Sequence, residues 1–196
     1  MNRDAVLPTI RLEPGTALAQ AEPWSVEAVT VDSPALAVVT DLARVKAATT
    51  QPATLLRQAE QMMIYLGVRM LFVVTDMPSV EGLVTTTDLH GDRQVRAAHD
   101  RQLRWDELTV ADVMTPFAEL EAVPYETMRK ACVGDVVATL QRWGRNHLLV
   151  VEQATPGTPR RIRGVISRSQ IERQLGRPID VMPIATSFAE IERALA

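Results

Sequence analysis

MLFVVTDMPSVEGLVTTTDL, residues 70–89, is the stretch of sequence that decides the fold. Its apolar run at 71–74, rich in β-branched residues, predicts a strand; residues 76–79 predict a turn, and 82–84 predict a returning strand. A helix is predicted to begin at Thr85, and the first N–H groups of a helix lack partners and favour an anion. The stretch therefore brings two hydroxyls, of Thr85 and Thr87, and the carboxylate of Asp88 to one strand-to-helix corner.

The same pattern returns once, at residues 147–171. Before the first copy the sequence predicts a short helix at 35–43, a strand at 45–49 and a helix at 54–66 that ends at Gly67. Before the second copy it predicts a helix-like segment at 110–115, a strand at 120–124 and a helix at 131–143. Strands at 148–151 and 162–166 and a helix at 167–175 complete the repeat. The inward faces of the two long helices are predicted to carry Leu55, Leu56, Ala59, Met62, Met63 and Leu66, and Cys132, Val133, Val136, Val137, Leu140 and Trp143.

Two copies of strand–helix–strand–strand–helix thus lie about 80 residues apart, which predicts an α/β (α+β) protein of two packed modules. We divide the chain into an N-terminal extension at 1–34, a first repeat at 35–105 with a connecting helix, a second repeat at 106–178 and a C-terminal segment at 179–196. The extension is expected to hold one strand at 26–31. The C-terminal segment is expected to hold a short helix behind the capping box at 187–190.

Composition narrows the class of protein. The chain has 196 residues, a net charge of −3 and 4% aromatic residues, which argues against a nucleic-acid partner. One cysteine excludes an internal disulfide framework. Neither a signal peptide nor an apolar run of membrane-spanning length is evident. The sequence therefore predicts a soluble cytoplasmic protein.

We interpret several reactive or polarisable side chains as parts of the structure instead of a functional site. Cys132 is expected to be a buried small hydrophobe, and the pair Met62 and Met63 is expected to be core instead of a soft binding surface. The four arginines at 93, 96, 101 and 104 alternate with acids, which favours a solvated connecting helix over a phosphate-binding one. The histidines, at 90, 99 and 147, show no metal-ligand spacing. The sequence therefore predicts neither a catalytic site nor a metal site.

Two interpretations of the first corner stay open on its residues alone. Thr85 and Thr87 can donate to a phosphate, and Asp88 can accept bonds from two adjacent hydroxyls. Thr85 and Asp88 also have the spacing of a helix cap.

The repeat resembles a pair of cystathionine-β-synthase (CBS) domains, also called a Bateman module. The resemblance rests on GLVTTTDL at 82–89, on GVISRSQI at 164–171, and on VMTP at 113–116 before the second copy. It covers residues 35–176. The second corner departs from the pattern, because Gln170 stands where the family usually has an aspartate.

The resemblance implies a non-catalytic regulatory module that binds AMP, ADP or ATP, or else S-adenosylmethionine, between its two domains, with no cofactor required. It implies that corner hydroxyls hold phosphate and that the aspartate holds the ribose. It also implies a homodimer and, for this chain, a regulated partner in trans. An interaction module with empty clefts is the alternative. The implied nucleotide-binding residues are Arg69, Thr85, Thr87 and Asp88 in the first repeat, and Asn146, Ser167, Ser169 and Gln170 in the second.

At the second corner the residues themselves leave two interpretations open. Ser167 and Gln170 have the spacing of an ordinary capping box, and a glutamine amide accepts two ribose hydroxyls less well than a carboxylate. The arginines at 160, 161, 163 and 168 could attract phosphates or form a solvated hairpin.

Overall fold

The computed structural model of the chain describes residue 11 and residues 13–16, 27–153 and 159–180. Within them, the order strand–helix–strand–strand–helix occurs twice, as predicted. The first module contains β2 (Thr49–Thr50), α1 (Leu56–Leu66), β3 (Met70–Val73), β4 (Gly82–Thr85) and α2 (Thr86–His90). The second contains β6 (Ala122–Pro124), α6 (Val133–Arg142), β7 (His147–Glu152), β8 (Arg161–Ser167) and α7 (Arg168–Leu175), with a short α5 (Tyr125–Met128) after β6.

Each module completes its sheet with a strand that precedes the other module's repeat. The first sheet has the order β2-β3-β4-β5, where β5 (Thr115–Pro116) belongs by sequence to the second repeat. The second sheet has the order β1-β8-β7-β6, where β1 (Thr40–Asp41) belongs by sequence to the first repeat. The division at residue 105 therefore separates the sequence repeats, while the two sheets exchange their outer strands across it.

The helical turns next to these outer strands are exchanged as well. The 3-10 helix Ala35–Val38 packs in the core of the second module, whereas α4 (Val110–Val113) packs in the core of the first. A connecting helix, α3 (Asp92–Arg101), joins the two modules, and a second 3-10 helix, Phe117–Glu119, follows β5.

A third apolar layer lies between the two sheets, and we call it the inter-module layer. Its buried members are Met70, Phe72 and Val74 from the first module and Leu149 from the second. Leu83 of β4 and Val165 of β8 are among the partly buried residues packed against it. Because side chains alternate along a strand, the other face of each sheet supplies the core of its own module, for example Val84 and Ile166.

The N-terminal strand is tied to the second module by charge. The Arg163 guanidinium donates two hydrogen bonds to the Asp41 carboxylate, at 2.7 and 2.9 Å, and lies 5.5 Å from the centre of the Tyr125 ring. Hydrogen bonding to Arg163 is the largest of the effects that lower the pKa of Asp41 to about 2. The pair therefore stays charged well below neutral pH.

Several predicted boundaries were wrong. The expected helix at 35–43 is a single 3-10 turn followed by β1, and the expected strand at 45–49 is reduced to Thr49–Thr50. Residues 27–31 form no strand. The helix α1 and its end at Gly67, which has a positive φ of 64°, are confirmed. The predicted C-terminal helix lies outside the described residues, as do most of residues 1–26.

Three predictions of burial were also wrong. Leu66 and Trp143 are 48% and 51% exposed, because each lies at or beyond the last turn of its helix, where the apolar stripe has left the core. Cys132 is half-buried at the N-cap of α6, where its thiol lies 3.3 Å from an Asp135 carboxylate oxygen. Met63 is buried and Met62 packs against the same core, which confirms the core interpretation of this pair.

Candidate functional site at the inter-module layer

Both corner hydroxyls lie on the sheet faces that meet in the inter-module layer. Thr85 is two residues beyond Leu83 on β4, and Ser167 is two residues beyond Val165 on β8. Strand alternation therefore puts them on the same faces as those two layer residues. Each is also the last residue of its strand and directly precedes a helix, α2 or α7.

The register fixes what stands opposite each hydroxyl. Thr85 pairs with Met70, the first residue of β3, and Ser167 pairs with His147, the first residue of β7. Arg69 and Asn146 come immediately before these strands, and their carbonyl oxygens accept hydrogen bonds from the backbone N–H of Thr86 and Arg168. The two corners are thus built by the same backbone contacts in both modules.

The first corner is a complete capping box. The Asp88 carboxylate oxygen Oδ2 accepts hydrogen bonds from the backbone N–H and the hydroxyl of Thr85, at 2.8 and 2.7 Å. Its other oxygen, Oδ1, lies 3.7 Å from Nε of Arg93. The Nη1 group of the same arginine donates a hydrogen bond to the Thr115 hydroxyl at 2.9 Å. One oxygen of Asp88 is therefore used by the cap, and the other contacts a half-exposed arginine loosely.

Comparable caps at two other helix starts show that this cap serves local structure. Asp112 accepts from the N–H and hydroxyl of Thr109 at 2.7 and 2.8 Å, and Asp135 accepts from the N–H of Cys132 at 2.9 Å. Such a cap is worth about 1 kcal/mol to a helix. What distinguishes Asp88 from Asp112 and Asp135 is its place at a corner that borders the inter-module layer.

The second corner is built differently, and the predicted capping box between Ser167 and Gln170 was wrong. The Ser167 hydroxyl lies 2.9 Å from the Ser169 hydroxyl, and no side chain caps α7. The Gln170 amide oxygen instead accepts from the Thr40 hydroxyl at 3.0 Å. Thr40 lies on the exchanged strand β1, so the amide that replaces the usual aspartate ties that strand to α7.

The remaining predicted residues lie around these corners. Thr87 and Asn146 are exposed, as is Arg69. Arg69 lines a groove between α1 and α2 beside Thr86, where Nε2 of His90 lies 3.0 Å from a Glu60 carboxylate oxygen. Of the four arginines near the second corner, only Arg168 is at the helix start. The other three are at the far end of β8, where Arg161 and Arg163 pair with Glu152 and Arg160 with Gln153.

A histidine that the sequence did not single out lies beside the second corner, where it pairs with Ser167. His147 is half-buried, and burial together with the positive charges of Arg69 and Arg168 lowers its pKa to about 4. Arg69 comes from the first module and Arg168 from the second. We call the two arginines the cationic cluster. Alignment of the two repeats could have drawn attention to the histidine, because His147 takes the position that the apolar Met70 has in the first repeat.

Two of the three arginines of the connecting helix α3 are bound to carboxylates, and Arg104, which lies beyond its end, pairs with Asp106. Arg101 contacts Asp112 at 2.5 Å, and Arg93 contacts Asp88. This supports the structural interpretation of the helix. No helix among the described residues is long and apolar enough to cross a membrane.

No protein-family model matches the chain, and no curated protein sequence matches it either. Solved structures do match. An uncharacterized conserved protein from Pyrococcus horikoshii is 20% identical with a TM-score of 0.52, and the match covers 79% of this chain and 100% of that one. A CBS-domain containing protein from Agrobacterium tumefaciens is 17% identical with a TM-score of 0.50, covering 68% of this chain and 88% of that one. With its two exchanged four-stranded sheets and its duplicated corner, the chain has the fold of a tandem pair of CBS domains.

Proposed function

We propose that the chain is a regulatory module that binds an adenosine nucleotide at the inter-module layer and carries no catalytic activity of its own. The observation that supports this is the position of the first corner. Thr85 borders the layer. Asp88 caps Thr85, and among the described side chains its second carboxylate oxygen contacts only Arg93, at 3.7 Å. The cationic cluster lies at the same end of the strands. Hydroxyls, a carboxylate and guanidinium groups suit the ribose and phosphates of a nucleotide.

The first corner is proposed as the main site. Thr85, Thr87 and the start of α2 would contact phosphate together with Arg69, and Asp88 would accept the two ribose hydroxyls. At the second corner, Ser167, Ser169, Gln170 and Asn146 would form a weaker site, because the Gln170 oxygen already accepts from Thr40. Binding in either place would involve both modules and so shift their packing, which a partner protein in trans would sense.

A thermal-shift screen with AMP, ADP, ATP and S-adenosylmethionine tests the proposal. A ligand present at a hundredfold over its dissociation constant stabilises the native state by about 2.7 kcal/mol. For a chain of this length that free energy corresponds to a rise in melting temperature of about 5–10 °C. GTP at the same concentration is the control for nonspecific anion binding. If none of the four adenosine ligands raises the melting temperature above the GTP control, the proposal fails.

One observation favours the alternative of an interaction module with empty clefts. Five of the polar side chains at the two corners have partners within the chain: Thr85 with Asp88, Ser167 with Ser169, and Gln170 with Thr40. In that case the structure would be complete without ligand, and the screen would show no shift. The two functions are therefore separated by the same measurement.

A homodimer is proposed through the outer ends of α1 and α6. Ile64 and Tyr65 are 74% and 89% exposed, and Leu66 and Trp143 each directly precede a glycine of positive φ that follows the helix. The repeat places Leu66 and Trp143 at equivalent positions, while Ile64 and Tyr65 extend the apolar surface at the end of α1. A second copy can cover both helix ends by a twofold operation.

We expect the native chain to behave as a dimer in light scattering coupled to size-exclusion chromatography. Tyr65→Asp and Trp143→Asp should each shift it towards the monomer, because a charge would be buried in the interface. Trp105→Asp, at a 58% exposed tryptophan between α3 and α4, is the matched control and should stay dimeric. If the native chain is still a monomer at about 100 µM, a concentration at which a dimer of only micromolar affinity would form, this interface is excluded.

A further inference from the structure

In the second module, the residues that follow α7 cross the groove between α6 and α7. The Gln141 side chain on α6 donates from Nε2 to the carbonyl oxygen of Asp180 at 3.1 Å. Glu172 on α7 accepts a hydrogen bond from the backbone N–H of Ile179, also at 3.1 Å. Ile179 itself is 6% exposed and belongs to the buried core of this module. One apolar side chain, with a main-chain hydrogen bond to the helix on either side, therefore fills this groove.

The first module has the equivalent groove between α1 and α2, which we call the α1–α2 groove. After α2 the chain passes through Gly91 into α3, and the groove has a volume of about 340 Å³. Its apolar lining is Met63, Ile64 and Val68, and Ile64 is 74% exposed. The groove thus offers an apolar floor of the kind that Ile179 covers in the second module.

Both grooves offer a carboxylate to a backbone N–H, but from opposite helices. His90 takes the position of Glu172, five residues after the corner hydroxyl, and the carboxylate of the α1–α2 groove comes from Glu60 on α1. Ile64 takes the position of Gln141, three residues before the glycine that follows the helix. A segment that fits the α1–α2 groove should therefore resemble residues 178–180 but carry an apolar residue in place of Asp180.

Such a segment follows in the sequence within a few residues. Residues 178–180 read Pro-Ile-Asp, and residues 183–185 read Pro-Ile-Ala. Proline restricts φ and has no N–H, so in each segment the isoleucine supplies the first backbone donor. Ala185 stands where Asp180 does, which suits the change from Gln141 to Ile64. The differences between the two segments thus match the differences between the two grooves.

The distance between the grooves decides which copy of the chain can supply residues 183–185. The inter-module layer lies between the sheets, and the helices of each module pack on the other face of its own sheet. Stacked sheets are about 10 Å apart and each helix layer adds about 10 Å, so the grooves are roughly 30 Å apart on opposite sides. The four residues from Asp180 to Ile184 span at most about 14 Å. A chain that holds Asp180 in its own second module therefore cannot place Ile184 in its own first module.

We propose that residues 183–185 of each copy dock in the α1–α2 groove of a second copy, where Ile184 packs on Met63 and its N–H donates to Glu60. The inference rests on the homodimer proposed above and adds a reciprocal exchange of C-terminal segments to it. The position of Asp180 supports this, because it is bound to Gln141, two residues before the exposed Trp143. The segment thus leaves its own module at the end of α6, where the proposed interface lies, and a twofold axis makes the exchange mutual.

Paired cysteines in the full chain test the docking. The native Cys132 is first replaced by Cys132→Ser, a residue that suits its N-cap position. Ile64→Cys combined with Ala185→Cys should then form a disulfide between copies on mild oxidation, because docking brings their Cα atoms within the limit of about 7 Å. Non-reducing electrophoresis separates a covalent dimer from an internally linked monomer, and mass spectrometry identifies the linked peptides.

Two further pairs in the same background serve as controls. Gln141→Cys with Asp180→Cys is the positive control, and it should close within one chain because these residues are in contact. Val95→Cys with Ala185→Cys is the negative control, since Val95 is 52% exposed on α3, away from the groove. Its yield of covalent dimer measures random collision of the C-terminal segment.

A charge at position 184 tests the same contact without cysteines. Ile184→Asp should raise the dissociation constant of the dimer at least about tenfold in a light-scattering dilution series, because docking would bury the new carboxylate. Ala194→Asp places the same charge ten residues further along and should leave the dissociation constant unchanged. Equal dissociation constants for the two variants would contradict the docking.

The outcomes separate this inference from the proposal on which it rests. If the native chain is a dimer but the Ile64→Cys, Ala185→Cys pair yields no more covalent dimer than the Val95→Cys pair, the docking is excluded and the dimer stands. A disulfide that closes only within one chain also excludes the exchange between copies. If the native chain is a monomer, both the dimer and the exchange are excluded.

Discussion

Asp88→Ala is expected to weaken binding of the preferred adenosine nucleotide at least tenfold. A carboxylate that accepts from two ribose hydroxyls makes two hydrogen bonds to a charged group, each worth about 1.5–3 kcal/mol. A tenfold loss corresponds to about 1.4 kcal/mol, so it requires only one of the two contacts to be lost without replacement. Isothermal titration calorimetry on the folded variant measures the change.

The cap complicates this experiment, because Asp88 also stabilises the start of α2. Asp135→Ala is the matched control: Asp135 makes the same capping box with Cys132 at the start of α6 and lies on no corner. Both variants should lose about 1 kcal/mol of stability, but only Asp88→Ala should lose affinity. Ser167→Ala should have the smaller effect expected of the weaker second site.

Asp88→Asn refines the comparison. The amide oxygen can still accept from Thr85 and so keeps most of the cap, whereas the charge that strengthens a ribose contact is gone. Affinity that falls in Asp88→Asn with little change in stability would assign the loss to the ligand. Equal affinity in the native chain, Asp88→Ala and Asp88→Asn would mean that the carboxylate is only a helix cap.

The features that sequence predicted well are those set by near neighbours in the chain. The apolar run of β3, the turn after it and the glycines that end α1 and α7 with positive φ are all local signals. The corner is local as well, because Thr85 and Asp88 are three residues apart. Duplication then made the pattern recognisable, since a weak local signal that occurs twice in the same order is much more specific.

The features that sequence missed depend on residues far apart in the chain. Thr40 and Gln170 are 130 positions apart, so nothing near Gln170 indicated that its amide was already engaged. Both exchanged strands have two residues each, too short for any alternation to show. His147 was not singled out because a lone histidine has no motif, and the charges of Arg69 and Arg168 act on it only in the folded chain.

The strand exchange gives the motif glycine a physical role. Gly82 opens β4 opposite Pro116 of β5, and Gly164 lies in β8 opposite Asp41 of β1. A Cβ atom on Gly82 would overlap the carbonyl oxygen of Thr115. One on Gly164 would meet Cγ1 of Val39 at 2.5 Å and the carbonyl oxygen of Thr40 at 3.1 Å. The glycine of each corner motif is thus where the other repeat's strand approaches most closely.

Gly82→Ala should therefore lower the free energy of unfolding by about 2–3 kcal/mol, measured by urea denaturation. The obstacle is a backbone oxygen, so β5 must move away from β4 to relieve the overlap. Gly164→Ala should cost less, since its nearest obstacle is the Val39 side chain, which can change rotamer. Gly134→Ala, in the first turn of α6, is the control: its nearest contact is at 3.3 Å, and alanine favours the helix by up to about 1 kcal/mol. If Gly82→Ala lowers the free energy of unfolding no more than Gly134→Ala does, the close approach of β5 does not require a glycine at position 82.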